Sequence, residues 1–440
     1  MRTTTISRFV TDPAQQRHDP MAALRQPNFL LYAAGRVSSG MAMTMLNAAI
    51  AWQVYDISDS AFQLAMIGLA RFGPSLGLTL VGGAVADGHD RRRIAMIAQL
   101  APLITSSALF ALTVSGSITL PVIYGLVLFV AVAGSFENPA RQAFLPQVVT
   151  KETFANAIVV SSTLQSFAFV TGPAVGGLLI GFAGVKGAYA AHAVLIVVSL
   201  VTLVFLKLRE QDGARRAVSL SAIREGLGFV RQRQVLLGPM TLDMFAVIFG
   251  GATALLPIYA KDILKVGGLG YGILFASLDA GALIMSLAII FLPPIRNAGR
   301  ALLITVALFG FGTIVFGLSR NIYLSIATYM FIGMADQVSV VLRQTTVQLS
   351  TPDDLRGRVS SVNSLFIGAS NQLGMVESGL VAAATSATFA VVSGGIGCLA
   401  VVGAVWARMP ELRNYRIVPH QVPPPPSTTT GEQTPEAAGG

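Results

Sequence analysis

Apolar stretches of about twenty residues, the length that crosses a hydrocarbon core as a helix, follow one another along nearly all of this 440-residue chain, parted by short polar breaks. No other feature narrows the fold so far. Inside a bilayer every backbone N–H and C=O must be satisfied without water, and a helix does this within its own segment. Charged residues make up 12% of the chain, about half the roughly 25% of a soluble domain. The expected class is an all-α membrane protein.

Hydropathy read with turn and charge breaks predicts helices near 28–54, 61–86, 93–115, 119–138, 154–182 and 187–207, then near 236–260, 268–292, 301–318, 322–343, 359–384 and 387–408. The expected organisation is a cytoplasmic tail over 1–27, a six-helix bundle over 28–207, a linker over 208–235, a second six-helix bundle over 236–408 and a disordered cytoplasmic tail over 409–440. The last carries VPPPPSTTTGEQTPEAAGG, a composition that cannot bury a core. In the linker, Ile223, Leu227 and Val230 recur at helical spacing beside Arg224, Arg231 and Arg233. Two readings stand: a basic helix lying on the inner leaflet, or a solvated connecting helix.

The net charge of +9 is explained by where the basic residues fall. With the N-terminus inside, Arg91, Arg92, Arg93, Arg141, Lys207, Arg343, Arg356, Arg358 and Arg408 are among the many on the cytoplasmic side. Only Lys186, Lys261, Lys265 and Arg320 fall outside. Cytoplasmic loops carry the Lys and Arg excess, so both termini are expected in the cytoplasm of a multi-pass protein of the inner membrane. The basic residues form no aromatic-interleaved stripe, so no nucleic-acid partner is expected. The first apolar run lacks the flanks of a cleaved signal peptide.

Cys398 has no partner cysteine in the chain, and His18, His89, His192 and His420 are scattered without metal-ligand spacing. No Ser-His-Asp grouping and no GxxxxGK[ST] phosphate loop occurs. No metal, cofactor, ATP drive or enzymatic activity is expected. The expected partners are the lipid bilayer, a small-molecule substrate and protons, with the chain as a monomer.

A weak internal repeat divides the chain. Arg141-Gln142 recurs as Arg343-Gln344, and at the same offset Gly172 falls on Gly374, Gly177 on Gly379 and Leu178 on Leu380. Repeats of this kind, related by an axis along the membrane normal, enclose a cavity between two bundles in many transporters.

Between the second and third apolar runs lies GGAVADGHDRRRIAM, with Gly83, Asp87, Arg91, Arg92 and Arg93. It resembles the loop signature of the major facilitator superfamily: a glycine, three residues, an aspartate, then a basic cluster. The resemblance implies that Asp87 faces the N-terminal end of the eleventh helix, near Gly357, and helps latch the cytoplasmic side; a carboxylate at a positive helix end gains about 0.3 to 1 kcal/mol. The copy departs from the family at Gly88, usually basic, and at Asp90, usually glycine, and the three arginines also serve as a topology signal. In the fifth run, Gly172, Pro173, Gly176 and Gly177 resemble the glycine–proline motif of antiporter and exporter branches. The alternative is plain small-residue packing. ENPARQAFLPQVV and TPDDLRGRVSSVNSLF are similar to the bacterial branch of transmembrane secretion effectors that includes the enterobactin exporter.

Ionisable residues inside spans are functional candidates. Asp279 and Glu377 are expected to carry protons, with Asp336, Arg36 and Arg71 as further candidates and Glu137 and Asp243 nearer helix ends. The structural alternative is that an arginine pairs with an acid and pins two helices. Asn47, Gln53, Gln165 and Asn371, with Asn363, Gln372, Trp52 and Phe167, are candidate cavity residues. The expected function is proton-coupled efflux of an amphipathic or siderophore-like molecule by alternating access. The rivals are an importer of a metabolite and a non-transporting sensor or scaffold.

Overall fold

The computed structural model describes residues 22–142, 144–150, 152–208, 220–293, 295–352 and 355–417; the side chains of 75, 76, 79, 80, 83, 84, 86–88 and 220–223 lie outside that description. The described chain is helical throughout. The first half comprises α1 (Pro27–Ser58), α2 (Ala61–Gly88), α3 (Arg91–Val114), α4 (Leu120–Gln142), α5 (Phe154–Ala183) and α6 (Val185–Phe205). After a linker helix, Leu220–Arg231, come α7 (Gln234–Phe249), α8 (Gly267–Phe291), α9 (Ala298–Leu318), α10 (Ile322–Leu349), α11 (Arg356–Ala384) and α12 (Ala387–Arg408).

Local chemistry accounts for the ends. Pro27 opens α1, where its missing N–H costs nothing. Asp90 caps α3 by accepting from the Arg92 and Arg93 amides at 2.9 and 3.3 Å, and Asn321 does the same for α10 at 2.9 and 3.3 Å. At the α1–α2 corner Asp59 turns the chain in the left-handed region, with φ 46°, a conformation that Asp tolerates better than most residues.

Two departures from the predicted spans stand out. The seventh segment was expected to be one helix over 236–260, but α7 stops at Gly250-Gly251 and continues as short 3-10, α and π turns to Ile263. A Cβ at Gly251 would lie 2.4 Å from Ser378 Oγ; the glycine pair both weakens the helix and lets α11 close on it. The tail expected to be disordered from 409 is folded as far as 417. A turn at Pro410–Arg413 buries Leu412 completely against α7 and α9, and the Ile417 amide donates to Arg296 O at 2.9 Å. A single apolar anchor in a polar segment outweighs the composition around it. Residues 1–21 and 418–440 lie outside the described residues.

The packing has an internal symmetry. In the first lobe α1 packs on α5 and α6, α3 on α4 and α6, and α2 on α4; in the second α7 packs on α11 and α12, α9 on α10 and α12, and α8 on α10. Each contact recurs six helices later. The contacts between lobes obey the same rule, α2 against α11 and α5 against α8. The linker helix is fastened to the second lobe, with Val230 buried among Val347, Val359 and Val362 and Glu225 paired to Arg358.

Among the described residues, nine helical segments are long and apolar enough to cross a membrane. The outer faces agree: Phe182 is 81% and Phe291 87% exposed, an apolar surface that suits lipid rather than water. The three long helices outside that set, α1, α2 and α11, meet across the middle of the molecule and hold much of its interior polarity, including Asn47, Arg71, Asn371 and Glu377.

Candidate functional site between the lobes

A cavity of about 310 Å³ opens between the lobes, walled by α1 and α2 on one side and by the α7 break, α8, α9, α10 and α11 on the other. A second, of about 240 Å³, lies deeper in the first lobe; Asn47 and Arg71 border both. Arg71 Nη2 donates to Asn47 Oδ1 at 2.9 Å, so this pair partitions the space. Opposite it stand Asp336, Asn371, Phe275, Phe309 and Tyr329, with backbone of 250–254 from the interrupted helix. A discontinuous helix facing a cavity is the arrangement by which transporters offer backbone groups to a ligand at membrane depth.

The acids sort by environment. Asp279 on α8 and Asp336 on α10 are electrostatic neighbours. These helices run antiparallel with Gly281 against Met330 and Gly333 against Leu278, a register that sets the two carboxylates about one helical turn apart in level. Asp279 also acts on Tyr329, whose hydroxyl meets Thr253 Oγ1 at 2.6 Å. Glu377 stands apart from this group, with Ser378 donating to it at 3.2 Å. Glu137 and Asp243 are each held by an arginine inside their own lobe. Arg141 Nε meets Glu137 at 2.6 Å while its other nitrogens donate to Ser39 and Ser199 at 2.9 and 3.0 Å; in the second lobe Arg343 pairs with Asp243. Among the described residues no hydrogen-bond partner meets the buried Arg36 Nε.

Of the neutral candidates, Asn47 and Asn371 border the cavity and Gln372 the second one. Gln53 does not. It is buried within the first lobe, accepting from Tyr189 at 2.6 Å and donating to Thr113 at 2.9 Å, a satisfied core amide. Gln165 packs against Gly40 of α1. Trp52 rests on Tyr271 across the lobe interface at 5.1 Å, and Phe167 is exposed.

The two ends of the interface differ. At the end distant from both described termini, the lobes are in backbone contact: a Cβ on Gly177 would fall 2.2 Å from Gly272 Cα, and one on Gly379 would fall 2.7 Å from Ala65 Cβ. These are the glycines related by the repeat, and each does the same work against the opposite lobe. Their partners Gly172 and Gly374 abut α1 and α7, at 2.6 Å from Met41 O and Val247 O, again by the repeat. At the same far end Lys261 bridges Asp56 and Asp59, both at 2.9 Å, and Tyr55 donates to Asp262. This clamp escaped the sequence reading; the acidic turn 56–59 and the YAKD of 259–262 signal it only once they are known to face each other.

Toward the termini, glycines of α2 and α11 face open space. A Cβ at Gly73, Gly77, Gly357 or Gly368 would meet no described atom within 4 Å, whereas Gly68 sits 2.8 Å from Met375. In the first turn of α3, Arg92 donates to Val204 O of its own lobe and Arg93 pairs with Asp90 at 3.4 Å. Asp90, the residue that departs from the family signature, thus serves as the cap of α3. The side chains of Gly83 and Asp87 lie outside the described residues. Pro173 sits mid-helix in α5, and its carbonyl faces Gly272 of α8.

Comparison with known proteins agrees with this architecture. The multidrug efflux pump Tap of Mycolicibacterium fortuitum is 26% identical over 404 residues, covering 87% of this chain and 96% of Tap. The enterobactin exporter EntS of Shigella dysenteriae is 23% identical over 396 residues, covering 90% and 95%. The nucleoside transporter NupG shares the fold with a TM-score of 0.66 at 13% identity, over 87% of this chain and 98% of that one. The family model of transmembrane secretion effectors matches residues 18–433, and the chain belongs to that family of the major facilitator superfamily.

Proposed function

We propose that this transporter is a proton-coupled exporter of small amphipathic or siderophore-like molecules, working by alternating access as a monomer in the cytoplasmic membrane. In this reading twelve helices span the bilayer, both termini are cytoplasmic, and lobes 28–207 and 236–408 rock about the cavity. The observation that carries it is the cavity itself: walled by both lobes, lined by charged and aromatic groups, and shut by close backbone contact at the end distant from the described termini. The basic residues of the loops favour the end that carries both described termini as cytoplasmic. That Tap and EntS bear the names of exporters supports the direction.

The roles follow from position. Asp279 and Asp336 are the coupling carboxylates, neighbours across the α8–α10 contact, and Glu377 on α11 is a third acid. Asn47, Asn371 and Arg71 meet the cargo. Asp87, with Gly83, Arg91, Arg92 and Arg93, latches the cytoplasmic end when the far end opens, and the Gly172–Gly177 segment of α5 is the slide against α8. Arg36 adds positive charge inside the first lobe.

The test is transport in proteoliposomes under an imposed pH gradient with a panel of amphipathic dyes. Uphill movement that collapses with a protonophore is expected; a purified, folded chain that moves nothing under either gradient polarity overturns the reading. Labelling of cysteines introduced at 91–93 from the cytoplasmic side only is the matching topology result.

A further inference from the structure

Among the described residues no acid pairs with Arg71, the cation that lines the cavity. It sits on α2 where both cavities meet, and among the described residues its hydrogen-bond partner is the neutral Asn47. A guanidinium has five N–H donors in a rigid fork suited to a carboxylate, and one amide oxygen occupies a single donor. Two other arginines buried inside the lobes are treated differently: Arg141 and Arg343 each hold a carboxylate of their own lobe. Burying a cation without an acid is costly, and at membrane depth such residues mark ligand pathways. The surroundings extend the argument. Leu64, Ile67, Phe275 and Phe309 give the cavity beside Arg71 an apolar wall.

We infer that Arg71 anchors an acidic group of the cargo, so that the cavity takes amphipathic organic anions, with the carboxylate or an equivalent anion in the guanidinium fork and the apolar body against Phe275 and Phe309. The inference rests on the exporter reading for the use of the site, but not for its existence. Asn47 then acts as the positioning residue, fixing the fork by one nitrogen and leaving the rest to the ligand.

The probes are a matched pair, dansylglycine and dansylcadaverine, which share a fluorophore and differ in the sign of the charge. Equilibrium dialysis against the full-length chain in lipid nanodiscs, with empty nanodiscs subtracted, is expected to show dansylglycine preferred. Arg71→Gln should weaken dansylglycine at least tenfold and leave dansylcadaverine unchanged, and Arg71→Lys should fall between. Asp336→Asn, which removes a carboxylate from the opposite wall, should bind dansylglycine at least as well as the native chain. Preference for dansylcadaverine, equal binding of dansylglycine by Arg71→Gln of native elution profile, or binding of neither probe overturns the anion site. A chain that ignores dansylglycine yet moves neutral or cationic dyes in proteoliposomes loses this site and keeps the exporter reading. A chain that moves no solute loses the exporter reading whatever the dialysis shows.

Discussion

The two lobes share one packing plan and carry opposite charge within it. Each has a buried arginine on its fourth helix locked to an acid, Arg141 to Glu137 and Arg343 to Asp243. Among the other charged residues well inside the described helices, Arg36 and Arg71 belong to the first lobe and Asp279, Asp336 and Glu377 to the second. The lesson is that duplication preserved the buried arginine of the fourth helix, held by an acid of the same helix in the first lobe and by an acid of α7 in the second, while the charges that line the cavity, Arg71 and Asp336, differ in sign. Across the cavity Arg71 on one wall stands opposite Asp336 on the other.

The most severe way to break this comparison is to attack a scaffold pair. Arg343→Ala leaves Asp243 buried and unpaired, and removing one partner of such a pair costs roughly 3–5 kcal/mol. We expect membrane abundance to drop sharply and detergent-extracted protein to aggregate. Arg141→Ala should be milder, since Glu137 is more exposed than Asp243, at 17% against 11% of its side chain. Equal losses for the two would mean that the lobes do not differ in this respect.

A wedge at the seam comes next. Gly177→Val must displace the Gly272 backbone, and overpacking of this kind costs about 1–3 kcal/mol. The expected result is protein that folds but favours the state with the far end apart, read as faster labelling of a cysteine at 56. The repeat predicts the same outcome for Gly379→Val against Ala65; a response from one glycine alone would show that the seams are not equivalent. Asp336→Asn should then reduce gradient-driven accumulation at least tenfold, about 1.4 kcal/mol, while exchange of dye down its own gradient persists. Uphill accumulation at the native level would remove the second lobe's acids from coupling. The smallest effect is expected for Lys261→Gln. Its pairs are partly exposed, and such pairs contribute about 0.2–1 kcal/mol, so labelling at the far end should rise less than with the glycine wedge.

Much of this was legible in the chain because apolar runs and turn residues are local signals. The helix over 387–408 matches its expected limits, and the offset joining Gly172 to Gly374 and Gly177 to Gly379 reappears as shared contacts. What could not be read depends on facing partners. Gln53 has the same composition signal as Asn47, but only the placement of Tyr189 and Thr113 turns it inward. The break after Phe249 needed knowledge that α11 presses on Gly251, and Leu412 needed the pocket it fills. For the cavity, polar letters within spans were visible; which of them share one space was not, and Asp336 joins Asp279 only through the register of α8 on α10.

The seam between Gly177 and Gly272 is made of main chain, and main chain has no rotamers. Side chains at an interface can yield by degrees, whereas two touching backbones are either seated or apart, as in other bistable packings. Passage through this protein is therefore expected to be counted in discrete throws of a latch rather than in a continuously variable aperture, so that single-molecule distance records should jump between two levels with nothing dwelling between.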